Sequence, residues 1–67
     1  MSDDDIQMWR EPRVVEVSGL KRSTMRSYVS QGKFPAPIKI GERASAWIST
    51  EVLAWVRQRI EQHRQAA

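Results

Sequence analysis

From Val17 to Gly41 the chain carries Lys21, Arg22, Arg26, Lys33 and Lys39 beside Ser23, Thr24, Ser27 and Ser30, and no acid; after Glu16 the next is Glu42. Guanidinium, ammonium and hydroxyl groups are the side chains that hydrogen-bond phosphate oxygens and base edges. A solvated helix face is the ordinary alternative, but such a face usually mixes Glu or Asp among its Lys and Arg. An acid-free run instead points to an anionic partner, and nucleic acid leads. Arg43 follows at a turn, where an Arg can reach a narrow minor groove of enhanced negative potential. Its bland alternative is a surface pair with Glu42, worth about 0–1 kcal/mol.

Other chemistries are poorly supplied. The chain has no cysteine, which excludes disulfides, thiolate metal sites and thiol catalysis. Its one histidine, His63, lies near the C-terminus, and no pair of carboxylates is set for acid–base work. Asp3-Asp4-Asp5 reads as a solvated tail rather than a metal site. No catalytic residue, cofactor or metal is expected, and an enzyme is the poorest fit.

The elements that must carry the basic residues can be read from spacing. Pro12 suits the first turn of a helix, and a first helix is predicted over Pro12 to Ser18, with Val14 and Val17 on one face and Gly19 as its left-handed stop. Leu20 then drops into the core. A second helix is predicted over Arg22 to Gln31. Met25, Tyr28, Val29 and Gly32 share one side of it, while Ser23, Ser27 and Ser30 lie opposite, flanked by Arg22 and Arg26. Lys21 is a poor N-cap, so a start capped by Ser23 is the alternative. Phe34-Pro35-Ala36-Pro37 breaks helical structure. Ile38 to Ile40 and Ala44 to Ile48, joined by Gly41-Glu42-Arg43, read as a two-stranded hairpin anchored by Trp47. Ser49 is expected to cap a third helix from Thr50 to about Arg64, with an apolar stripe of Val52, Trp55, Val56 and Ile60. The aromatic residues Tyr28, Phe34, Trp47 and Trp55 are read as core rather than as platforms for stacked bases.

Sixty-seven residues allow one small domain. Such a chain buries only about 60% of its unfolded surface, so its core is marginal. Charge is unevenly distributed: residues 1–11 carry a net −3 and residues 12–67 a net +6. Residues 1–9 are read as an acidic flexible arm, 10–64 as the cationic folded domain and 65–67 as a frayed tail. No signal peptide or membrane span is visible, so a cytoplasmic, nucleoid-associated protein is expected.

The residues Gly19-Leu20, Arg22-Ser23-Thr24-Met25, Gly32-Lys33-Phe34-Pro35-Ala36-Pro37-Ile38-Lys39-Ile40-Gly41, Arg43-Ala44, Ala46-Trp47, Glu51-Val52 and Ala54-Trp55 stand in a telling order. Together they make the chain resemble the AlpA-like prophage regulatory proteins, small winged-helix relatives of the MerR and excisionase DNA-binding domains. The likeness covers about residues 10 to 60. Gly-Leu-x-Arg-Ser-Thr alone is common; the ordered set is specific. The resemblance implies a mainly α fold with a small β-hairpin, that is, a winged helix-turn-helix of three helices plus a two-stranded wing. It departs from the family at Lys21, where Ser is frequent, and at Arg26-Ser27, where a Tyr-Arg pair is frequent. The target sequence therefore does not carry over.

These readings converge on a sequence-specific, double-stranded DNA-binding transcriptional regulator of a prophage or mobile element. The second helix would enter the major groove and the hairpin the minor groove. The expected DNA-binding residues are Lys21, Arg22, Ser23, Thr24, Arg26, Ser27, Ser30, Lys39 and Arg43. Neutralising about four phosphates would make affinity fall about a hundredfold between roughly 50 and 200 mM salt. So small a domain offers about 600–1,000 Å² of interface, which favours self-association on DNA at repeated sites, or bending shared with a partner. One alternative is an excisionase that bends attachment-site DNA with an integrase or recombinase. Another is a protein-interaction adaptor using an apolar patch on the third helix.

Overall fold

Pro12 in a first turn, Gly at two helix ends and alternating apolar residues around Gly41 dictate most of the architecture. The computed structural model describes residues 5–66. Helix α1 (Glu11–Ser18) starts from Arg10, whose extended backbone turns its carbonyl to the N–H groups of Arg13 and Val14 at 3.0 and 3.1 Å. Glu11 suits the positive end of the helix. Gly19, at φ 75°, ends it and donates its N–H to the Val15 carbonyl, a left-handed geometry that costs a residue with a Cβ.

Helix α2 (Arg22–Ser30) follows after Leu20 and Lys21. Lys21 is its N-cap, with no side-chain cap, and Met25 N–H closes the first turn on the Lys21 carbonyl at 2.8 Å. The later start at Ser23 is not adopted. Gly32, at φ 74°, turns the chain away, and Lys33 N–H donates to the Tyr28 carbonyl at 2.8 Å. The last carbonyls of α2 are thereby satisfied.

Strands β2 (Ile38–Gly41) and β3 (Ala44–Ile48) form the expected antiparallel hairpin, with Lys39 opposite Ser45 and an irregularity between Lys39 and Gly41. A third strand joins them. β1 (Met8–Trp9) pairs antiparallel with β3, Met8 opposite Ile48 and Trp9 opposite Trp47, giving the order β1-β3-β2. The segment read as the end of a flexible arm is thus built into the sheet through Trp9. Of the three acidic residues of that arm, Asp3 and Asp4 lie outside the described residues, as does Ala67 of the tail.

Helix α3 (Ser49–Ala66) leaves directly from β3. Ser49 does not serve as the expected side-chain cap: its hydroxyl accepts the Gln7 N–H at 2.8 Å, and its own N–H donates to the Gln7 carbonyl at 2.9 Å. Ile60, expected on the apolar stripe, is 45% exposed, because the core ends before the helix does.

One core joins the three helices, β1, β3 and the connecting loop. Val14 from α1, Met25 from α2, Phe34 from the connecting loop, Trp47 from β3 and Val52 from α3 are buried together, with Trp9, Leu20, Tyr28, Val29 and Trp55 packed around them. Each full burial stabilises by about 1.5–3 kcal/mol. The indole N–H groups also find partners: Trp47 donates to the Pro35 carbonyl and Trp55 to the Lys33 carbonyl, both at 2.8 Å. These two bonds pin the Phe-Pro loop between the sheet and α3. The result is three helices with an antiparallel hairpin, the winged helix-turn-helix arrangement.

Candidate nucleic-acid interface

Met25 is fully buried on one side of α2, and Tyr28 and Val29 are half-buried beside it. This fixes the helix's rotation, so Arg22, Ser23, Arg26, Ser27 and Ser30 are all exposed and Thr24 is half-buried. Lys21, Lys39 and Arg43 are exposed as well. The aromatic residues behave as core: Phe34 and Trp47 are buried, Tyr28 and Trp55 half-buried. Arg59 lies over the rings of both Trp55 and Tyr28, at 5.1 and 5.9 Å, which ties α3 to α2.

The fold brings some of the expected residues together. A cleft between the starts of α1 and α2 and the wing is lined by Arg10, Glu11, Arg22, Arg43, Ser45 and Trp47. Arg22 and Arg43, twenty-one positions apart in the chain, thus face one concavity. Lys39 stands opposite Ser45 in the hairpin, and cross-strand partners share a sheet face. The wing therefore presents Lys39 on the side from which Ser45 lines the cleft. Arg10, Arg22 and Arg43 make no side-chain hydrogen bond or ion pair with another described residue. Unpaired guanidinium groups around a concavity are suited to a polyanion with spaced charges.

Other expected residues stand differently. Arg26 is paired: its Nε and Nη2 donate to Oε1 and Oε2 of Glu11, both at 3.2 Å. Ser27 and Ser30 are engaged locally, since Ser30 Oγ donates to the Ser27 carbonyl at 2.8 Å and Gln31 Nε2 donates to Ser27 Oγ at 2.8 Å. Both serines stay at the surface and can exchange these bonds. Arg43 makes no pair with Glu42.

Sequence reasoning misses Arg10, the first residue of the expected domain, which it gives no role. It reaches the cleft because β1 holds the preceding residues against β3. Met8-Trp9, the apolar pair immediately before it, is too short to announce a strand by itself. Glu11 was also missed as a member of this surface. Elsewhere, the loop from Gly32 to Ile38 and α3 enclose a groove with Pro35, Pro37, Ala54 and Trp55 in its walls. Among the described residues, no group of three or more Asp, Glu or His side chains could share a metal ion, and no helix is long and apolar enough to cross a membrane.

Comparison with known proteins gives this geometry a family. A family model described as "Prophage CP4-57 regulatory protein (AlpA)" matches residues 7–60. A protein of Enterobacteria phage P4, described as "Uncharacterized protein ORF88", is 39% identical over 51 residues, covering 76% of this chain. The chain spans 58% of that relative's length. No solved structure matches. The matched span begins at Gln7, the residue that bonds Ser49, and takes in the helix pair, the three strands and most of α3. The chain belongs to the family of the prophage regulatory protein AlpA.

Proposed function

We propose that the protein is a sequence-specific, double-stranded DNA-binding transcriptional regulator of a prophage or related element. α2 enters the major groove, and the hairpin wing lies along the adjacent minor groove. The observation that carries this reading is the convergence of Arg22 from α2 and Arg43 from the wing on one cleft, with no partner among the described residues. A major groove is wide enough to admit a helix. Arg22 at the N-terminal end of α2 is placed as such helices place their base contacts, while Lys39, Arg43 and Lys21 hold phosphates. Ser23, Thr24, Ser27 and Ser30 are short enough to let the backbone of α2 approach the sugar-phosphate edge.

Selection from a random duplex pool tests this, with Arg22→Ala run beside the parent. Enrichment of a defined motif that is relaxed in the variant is the expected result. Equal binding to specific and scrambled duplexes at matched salt would refute sequence reading. No binding at all would move the function to the groove between the Pro35–Pro37 loop and α3, as a protein adaptor. The same interface could serve an excisionase. An excision assay with a cognate integrase separates that job from promoter regulation, and a small single domain predicts cooperative filling of repeated sites in either case.

A further inference from the structure

The stretch from Val17 to Gly41 has no acid in sequence, yet the folded surface does. The start of α1 brings Glu11 back onto it. Its carboxylate takes both Nε and Nη2 of Arg26 at 3.2 Å, and the residue lines the same cleft as Arg10, Arg22 and Arg43. A carboxylate among four guanidinium groups stands where a phosphate would otherwise be welcome. Arg26 is 70% exposed and Glu11 only 24% exposed, so the acid is the fixed member and the arginine the mobile one. α1 and α2 do not depend on this solvated pair alone, since Val14 and Met25 anchor them in one common core.

We infer that Glu11 is a specificity-determining residue that acts through Arg26: it occupies that guanidinium until a base edge offers two acceptors in its place. The inference rests on the duplex-DNA reading above. On unrelated DNA, a phosphate offers Arg26 only the kind of charged, bidentate partner it already has in Glu11, so the exchange gains nothing and Arg26 stays where it is. On the right sequence, a guanine presents O6 and N7 in a matching fork, and Arg26 changes partner. Non-specific affinity is thereby held down while specific affinity is kept.

The test is the salt dependence of Glu11→Gln on a random duplex and on a duplex carrying the selected motif. Freeing Arg26 to neutralise one more phosphate steepens the slope on random DNA by about 0.9 and tightens binding by about eightfold at roughly 0.1 M salt. The motif duplex gains less, because Arg26 already contacts DNA there, so the specificity ratio falls. Glu11→Asp keeps charge at the helix start but shortens the reach, and steepens the slope in the same direction. In an Arg26→Gln background, Glu11→Gln relieves only the carboxylate's own repulsion of DNA, so its effect is smaller and alike on the two duplexes. An unchanged slope in both Glu11 variants overturns the inference, as does a slope that steepens equally without Arg26. Weaker binding with a lower melting temperature overturns it in favour of a structural clip. If the parent binds neither duplex at low salt, the DNA reading itself fails, a result distinct from any of these.

Discussion

Arg10→Ala should weaken binding to every duplex by nearly the same factor. The Arg10 side chain is exposed and joins no hydrogen bond or ion pair with another described residue, and its structural work is done by its backbone carbonyl at the start of α1. Truncation is therefore a surface change, expected within about ±0.5 kcal/mol of parental stability. What it removes is one of the four phosphate contacts of the proposed interface, Arg10, Lys21, Lys39 and Arg43, with Arg22 at a base edge and Arg26 on Glu11. If each neutralises one phosphate, the slope of log affinity against log salt is about −3.6, and affinity falls about 150-fold between roughly 50 and 200 mM. Without Arg10 the slope becomes about −2.7, and binding at roughly 0.1 M salt weakens about eightfold. Phosphate contacts carry no sequence information, so motif-bearing and scrambled duplexes lose alike. Fluorescence anisotropy at several salt concentrations reads both quantities, with thermal melting as the check on folding. A parental slope in a fully folded variant would refute the placement of Arg10 against DNA, and a loss confined to the motif duplex would refute its role as a phosphate contact.

Three further predictions concern the frame that holds this surface. Met25→Ala removes a fully buried side chain from the centre of the core and should cost about 2–5 kcal/mol; circular dichroism should show the melting temperature down by more than about 10 °C. Trp47→Phe leaves the Pro35 carbonyl without its 2.8 Å donor, a loss of about 1–3 kcal/mol to be read by urea denaturation. In Gly19→Ala the new Cβ meets nothing within 4 Å, so only the left-handed backbone at φ 75° is penalised; a loss of about 1–2 kcal/mol is expected, and no loss would contradict the turn geometry.

The parts legible in the sequence are those with local causes. Pro12, Gly19 and Gly32 bracket the helix pair, and the spacing of Met25, Tyr28 and Val29 orients α2. Ile38 and Ile40 flanking Lys39 announce a strand, and Gly41-Glu42-Arg43 its turn. What escaped has no local cause. A strand of two residues, Met8–Trp9, is too short to show a period, and it becomes a strand only because β3 offers an open edge. Ser49 looks like a helix cap from its neighbours alone, yet its hydroxyl serves Gln7, 42 positions away. The Glu11–Arg26 pair joins residues 15 apart on two different helices. Of the proposed interface, the exposed position of the cations on α2 and the wing could be read in advance from residue type and spacing. Arg10 and Glu11 could not, since their place depends on how the chain's first strand docks.

That docking has a further consequence. Pairing Met8 with Ile48 closes the chain into a ring, with the helix pair and the wing strung inside it. Bringing the ends of about forty residues together costs about 3 kcal/mol in chain entropy, and the clasp consists of a short ladder, the two Gln7–Ser49 bonds and the packing of Trp9. A fastening of that size belongs to the less stable end of a small protein. When it opens, the junction of β1 and α1 that carries Arg10 and Glu11 loses its hold on the wing, and a ligand spanning both must order them as it binds. When it is shut, that ordering is complete beforehand. On the proposed DNA-binding reading, the latch therefore tunes affinity from residues that need not touch DNA, and changes to Gln7 or Ser49 alter tightness while leaving the proposed surface as it is.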